Sequence, residues 1–162
     1  MSYSTLYKVF KTKAVPHCEF QNGWGSAPPV WGWLCEKYLG GENWMITKGL
    51  WALGHDPAVP VHMRFALLLT FDNGIVTPPD FQEAARLSRM VYADLRAWSP
   101  QHVNHWEKIA AVFESLSVKK TPRLLGIGLG CTSVSDPWED FTSRQPFNIF
   151  EALYADVSRE TS

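Results

Sequence analysis

The chain has 162 residues, of which 46% are hydrophobic and 19% are charged, and this balance excludes a disordered or fibrous protein. The length fits a single globular domain over residues 1–162 better than two domains. Fifteen Lys and Arg against sixteen Asp and Glu give a net charge of −1, so no overall field attracts nucleic acid or an anionic membrane.

The first twenty residues carry three lysines and no continuous apolar stretch, so we expect no secretory signal. The longest uncharged run, residues 20–35, is interrupted by Gly and Pro and does not suit a membrane span. Cys18, Cys35 and Cys131 are odd in number and form no CxxC motif, which indicates a reducing compartment without a disulfide framework. We therefore expect a cytoplasmic protein with neither membrane nor nucleic-acid partners.

The first predicted elements are a strand over residues 5–11 and a helix that begins after Ser26. Ser26 suits the N-cap position, Pro28 and Pro29 suit the first turn, and Gly40 suits the end of the helix. One side of this helix is apolar, with Val30, Trp31, Leu34, Cys35 and Tyr38. The wheel places Trp33 on the other side, with Glu36 and Lys37. Residues 43–53 predict another short helix.

The clearest strand pattern lies in residues 61–71. Met63, Phe65, Leu67 and Leu69 alternate with their neighbours at the period of a half-buried strand. His62 and Arg64 would then project from the opposite face. The tripeptide at 72–74, Asp-Asn-Gly, predicts a turn directly afterwards.

The second half of the chain predicts three helices and one strand. Residues 77–80 resemble a helix start, so a helix is expected over residues 80–98. Ser99 and Pro100 repeat that pattern and predict a second helix over residues 100–117 with a sharp change of direction between the two. A strand over residues 123–134 and a helix over 147–157 complete the pattern. The sequence predicts an α+β domain with a mixed or antiparallel sheet of about three strands, covered on one face by about four helices.

The candidate interface residues are large aromatics outside the core stripes and a flank of arginines. Trp24 lies in a Gly- and Pro-rich stretch, and Trp33 lies on the polar side of its helix. Tryptophan is enriched among the residues that anchor protein interfaces, and these residues equally suit a loop that folds back over the core. Arg86, Arg89 and Arg96 gather on one flank of the helix over residues 80–98.

The candidate catalytic residues are His102 and His105, with His62 as a third. A spacing of three on a helix can bring two imidazoles to one metal ion or leave one as a general base. No spacing ties a third metal ligand to them, so we assign no metal site and no cofactor. Hydrogen-bonded core histidines are the favoured interpretation.

Gly126, Gly128 and Gly130 alternate and should share one face of a strand. Their GxGxG spacing is not a dinucleotide fingerprint. A face without side chains permits close approach by an aromatic ring, another backbone or a ligand. An internal aromatic ring is the favoured interpretation, since the chain has eight tryptophans. Cys131, which follows, is expected to be a buried and unreactive thiol, and the acidic residues at 136–140 are expected to be solvated.

Two functional hypotheses follow from these features. The first is a non-catalytic protein-binding module, such as a small inhibitor, an immunity-type protein or a regulatory adaptor, because aromatics are abundant and no complete catalytic motif is found. Its partner would be another protein. The alternative is a small-ligand-binding protein or a hydrolase-type enzyme that uses His102 or His105 beside the glycine-lined strand.

Overall fold

The structure is a computed structural model that describes residues 3–70, 73–130 and 146–161. Short 3-10 segments at Gly23–Gly25, Trp51–His55 and Pro78–Asp80 join the main elements. In chain order these elements are β1 (Tyr3–Val9), β2 (Ala14–Gln21), α1 (Ala27–Tyr38), α2 (Val61–Leu69), β3 (Gly74–Val76), α3 (Phe81–Trp98), α4 (Trp106–Ser117), β4 (Gly126–Gly130), β5 (Phe147–Asn148) and α5 (Ile149–Thr161).

The strands form one sheet in the order β2-β1-β4-β3-β5. All neighbouring strands are antiparallel except β3 and β5, which are parallel, so the sheet is mixed. The predicted α+β class is confirmed, and the described residues contain five strands where about three were expected. The missed strands have weak patterns, because β3 has three residues and β5 has two, too few to display alternation. β2 is mostly exposed and contains Pro, His and Glu.

The two faces of the sheet have different residues. Leu6, Leu129 and Val76 lie on the face that packs into the main hydrophobic core with the helices. Tyr7, Val9 and Ile75 form a separate cluster. The strand register pairs Tyr7 with Gly128 and Val9 with Gly126, so this second cluster shares its face with the glycines. We call this side the glycine face.

The prediction of a strand over residues 61–71 is wrong, because α2 is a helix over most of that segment. Eight of its nine residues, from His62 to Leu69, are buried. Helices α1, α3 and α5 and strand β3 all contact it. An element that is buried all round shows no polar stripe, so its apolar run gives no helical period in the sequence.

Helix α3 confirms the predicted helix over residues 80–98, and the predicted break before the next helix is also confirmed. Helix α4, however, begins at Trp106, six residues after Pro100. The side-chain oxygen of Asn104 accepts the Trp106 N–H at 3.0 Å, and the His105 N–H donates to the carbonyl of Gly25 at 3.0 Å. These bonds satisfy donors at the start of α4, which explains why the helix begins there.

The remaining predicted elements agree with the structure in part. Helix α1 carries its two prolines in the first turn as expected, but the Ser26 side chain makes no capping hydrogen bond. Residues 43–53 form turns that lead into a 3-10 segment instead of an α-helix. The predicted strand over 123–134 is β4 in its centre, and its last four residues lie outside the described part of the chain. Helix α5 begins at Ile149, two residues after the predicted start.

Candidate functional surfaces

His105 lies in the protein interior and is bonded to the start of α1. Its Nδ1 is 3.0 Å from the Ser26 hydroxyl oxygen, and the two residues are 3% and 0% exposed. The ring also faces Gly25, where a Cβ atom would lie only 2.7 Å from Nε2. Next to it, the indole N–H of Trp106 donates to the Ser26 carbonyl at 2.9 Å. A serine and a histidine are therefore paired, but neither is open to a substrate.

The surroundings of His105 favour its neutral form. Burial lowers the pKa of the imidazole most, and the positive charge of Lys108 lowers it further. A backbone hydrogen bond with Gln21 acts in the opposite direction. A neutral imidazole that is bonded on both sides holds the start of α4 against α1, which is a structural role.

His102 and His62 lie apart from this cluster. The expectation that a helix holds His102 and His105 three residues apart is wrong, because both precede the first residue of α4. His102 is exposed and bonds to the Ser99 hydroxyl. His62, on α2, is 2.6 Å from the Asp94 carboxylate on α3, a partner that the sequence analysis did not identify. The structure therefore distributes the three histidines over separate environments.

The sheet separates His105 from the glycines. The His105 ring lies 5.4 Å from that of Phe20, which packs in the main core, whereas Gly126 and Gly128 lie on the opposite face with Val9 and Tyr7. At Gly126 the close neighbour is another backbone, since a Cβ atom there would lie 2.4 Å from the carbonyl oxygen of Val76. The nearest neighbour of this glycine is thus strand β3 and not the internal aromatic ring that was the favoured expectation.

Trp33 is buried, and its expected place on the polar side of α1 is wrong. It is 8% exposed and belongs to the main core. Its position lies only about 60° around the helix from Val30, so the wide indole reaches the core. The centroids of the Trp33 and Tyr38 rings are 6.2 Å apart, and the Lys37 ammonium lies 5.9 Å from the centroid of the Trp33 ring. The ammonium thus lies over the aromatic ring at the distance of a cation–π contact.

Four other tryptophans form a continuous aromatic cluster that reaches the surface, and we call it the tryptophan surface. Its members are Trp24, Trp31, Trp44 and Trp51. The ring centroids of Trp24 and Trp44 are 5.8 Å apart, and those of Trp44 and Trp31 are 4.9 Å apart. The centroids of Trp31 and Trp51 are 5.5 Å apart. Trp24 is 57% exposed and Trp51 is 45% exposed. Trp24 was expected at a surface, whereas the sequence analysis did not single out Trp44 and Trp51.

The local backbone holds the tryptophan surface in place. Asn22 has a φ of 66°, and its side-chain oxygen accepts the Trp24 N–H at 3.3 Å, a turn that asparagine tolerates well. The Trp31 indole N–H donates at 3.0 Å to Thr70 at the end of α2. Met45 and Ile46 follow Trp44 in a turn and are 63% and 70% exposed. The tripeptide Trp44-Met45-Ile46 is apolar but fits neither a helical nor a strand period. An apolar run outside any periodic element was the sequence signal that could have identified this exposed site.

The predicted arginine flank forms part of a groove between α3 and α4. Arg86 and Arg89 line it, together with Met90 of α3 and Val118 after α4. Arg86 is bonded to Glu83 at 2.5 and 2.9 Å, and Arg89 is bonded to Glu114. Arg96 does not line the groove, and its guanidinium donates to the Tyr92 hydroxyl at 3.1 Å.

Some expectations concern residues that the structure does not describe. Cys131 and the acidic residues at 136–140 lie outside the described residues. Among the side chains that the structure describes in residues 3–70, 73–130 and 146–161, no group of three His, Cys, Asp or Glu is placed to share a metal ion. No helix in the same ranges is both long and apolar enough to cross a bilayer.

Comparison of the chain with protein-family models, with curated proteins and with solved structures found no match.

Proposed function

We propose that this chain is a protein-binding module that contacts its partner through the tryptophan surface. The observation that carries the proposal is the ring-to-ring cluster that ends in Trp24 and Trp51, which are 57% and 45% exposed. Large rigid indoles bring much apolar area to an interface and lose little conformational entropy on binding. Their exposure has no benefit for the isolated chain, because apolar area left in water does not stabilise the fold.

The neighbouring side chains extend this area. Met45 and Ile46 are the two most exposed large apolar residues beside the cluster, at 63% and 70%. They follow Trp44, whose ring centroid lies 5.8 Å from that of Trp24, and exposed apolar area of this kind marks interaction sites in soluble proteins. Among the described residues the Trp24 indole N–H has no hydrogen-bond partner, so it can donate to a partner protein.

The experiment compares two matched exposed positions. Trp24→Ala removes an exposed ring from the tryptophan surface, and Val103→Ala truncates a side chain that is 53% exposed in the loop before α4. Quantitative affinity capture with the wild type and both variants identifies proteins that depend on Trp24. Binding of each captured protein is then measured with purified components.

A supporting result is a partner whose affinity falls about 30-fold or more with Trp24→Ala, the equivalent of ~2 kcal/mol, and stays within about twofold with Val103→Ala. Each variant should lose less than about 1 kcal/mol of the free energy of unfolding, so its melting temperature should fall by no more than about 2–4 °C. The proposal fails when every captured protein binds the Trp24→Ala variant as well as it binds the wild type.

A further inference from the structure

Arg64 places a positive charge in the interior of the protein without a partner. The residue is 2% exposed, and its Nε and Nη1 atoms are buried with no hydrogen-bond acceptor. No ion pair among the described residues includes it. An arginine side chain keeps its charge inside a protein, so the described residues leave this buried cation uncompensated.

The position of Arg64 on α2 adds to the imbalance of charge. Arg64 lies in the first turn of the helix, and no acidic residue occupies that turn. The helix dipole makes the first turn a positive region, where a cation is unfavourable. The backbone N–H groups of Met63 and Arg64 donate to the Pro60 carbonyl, whereas those of Val61 and His62 have no acceptor among the described residues.

The described carboxylates before α2 and on the adjacent helix α3 are held by other groups. Asp56, which precedes α2, accepts the Ala58 N–H at 2.9 Å. Asp94 of α3 lies 2.6 Å from the His62 imidazole. His62 and Arg64 are about 160° apart around α2, so Asp94 contacts the opposite side of the helix. Neither carboxylate neutralises Arg64.

A buried guanidinium without a partner lowers the stability of the free protein, because an apolar side chain of similar size would fill the same space without a charge. Proteins accept such a cost mainly at functional sites. The start of α2 is open to solvent, since Val61 is 41% exposed. Long side chains on a helix extend toward its N-terminus, so Arg64 is directed to this open end.

We propose that Arg64 and the first turn of α2 bind the phosphate or carboxylate group of a small molecule. An oxyanion accepts hydrogen bonds from the guanidinium and from the free backbone N–H groups, and its negative charge compensates both the cation and the helix dipole. The ligand must be small, because Arg64 is almost fully enclosed. This site shares no residue with the tryptophan surface, so either proposal can fail while the other stands.

The test measures thermal unfolding of the wild type, Arg64→Met, Arg64→Gln and a control, Arg96→Met, which removes an exposed arginine of α3. Each protein is measured in sodium chloride and then with inorganic phosphate or sodium acetate at the same ionic strength, so that screening of charges is constant. Arg64→Gln keeps a polar side chain and serves as the neutral variant if Arg64→Met does not fold. Titration calorimetry then gives the dissociation constant of each anion.

We expect phosphate or acetate to raise the melting temperature of the wild type in a saturable way, as mass action requires for a ligand of the folded state. The affinity should fall about tenfold or more with both Arg64 variants and change less than about twofold with Arg96→Met. The tighter anion identifies the ligand group as phosphate or carboxylate.

The proposal is overturned when neither anion stabilises the wild type more than it stabilises the Arg64 variants. It is also overturned when both Arg64 variants are less stable than the wild type in chloride alone, because the guanidinium would then already have a partner within the chain.

Discussion

We expect the free energy of unfolding to fall as the pH decreases below about 6.5, because the folded protein holds His105 in its neutral form. Burial and Lys108 lower the pKa of His105 from its usual 6.5, so the unfolded chain binds a proton at a higher pH than the folded chain. The contribution of neutral His105 to the free energy of unfolding is therefore fully present above pH 6.5. It decreases as the pH falls, until the pH lies below the pKa of His105 in the folded state. One proton contributes at most about 1.4 kcal/mol per pH unit in this interval.

Urea denaturation between pH 8 and pH 5 measures this slope for the wild type, His105→Gln and His102→Gln. His102 is the matched control because it is exposed and lies three residues away. We expect His105→Gln to be less stable at pH 8, because it disturbs the bond with Ser26, and to lose less stability on acidification. His102→Gln removes an exposed histidine and controls for the loss of an imidazole as such. Equal slopes for the wild type and His105→Gln would refute this account of His105.

Three further substitutions test the packing. Gly126→Ala should lower the free energy of unfolding by about 1–3 kcal/mol, since its Cβ would lie 2.4 Å from a backbone oxygen of β3; an unchanged urea midpoint would contradict this. Arg64 is 2% exposed, and its Nε and Nη1 have no partner among the described residues, so Arg64→Met should raise the free energy of unfolding by about 1–3 kcal/mol. A loss of stability would indicate an anionic partner for Arg64. Trp33→Ala should cost about 3–5 kcal/mol in chemical denaturation, whereas Trp24→Ala should cost less than about 1 kcal/mol, and similar losses for both would contradict the burial difference.

The parts of the fold that the sequence predicts well are those with local signals. Helix α3 has an apolar face and a recognisable start, so both of its ends were found within a residue. Helix α2 is the opposite case, because neighbours on every side remove the polar stripe that marks a helix. Short strands such as β3 become strands only through their partners, and pairing between distant segments has no local signal.

The candidate surfaces were predictable only where a residue stands outside a periodic element. Trp24 met that condition in its Gly- and Pro-rich stretch, and it is exposed. Trp33 did not meet that condition, because it lies within a helix. A helical wheel gives the angle of a side chain around the helix axis but not how far a wide ring extends. The pairing of Ser26 with His105 joins residues 79 positions apart, so only the assembled helices bring them together.

The position of β2 at one end of the sheet affects how the protein behaves at high concentration. An open strand offers unpaired N–H and C=O groups to other chains and can start aggregation. Here Pro16 lacks an N–H, Glu19 adds a charge, and the pairing with β1 shifts register between Leu6 and Tyr7. These features discourage the addition of another strand. At the other end of the described sheet β5 has only two residues, too few to template a partner strand.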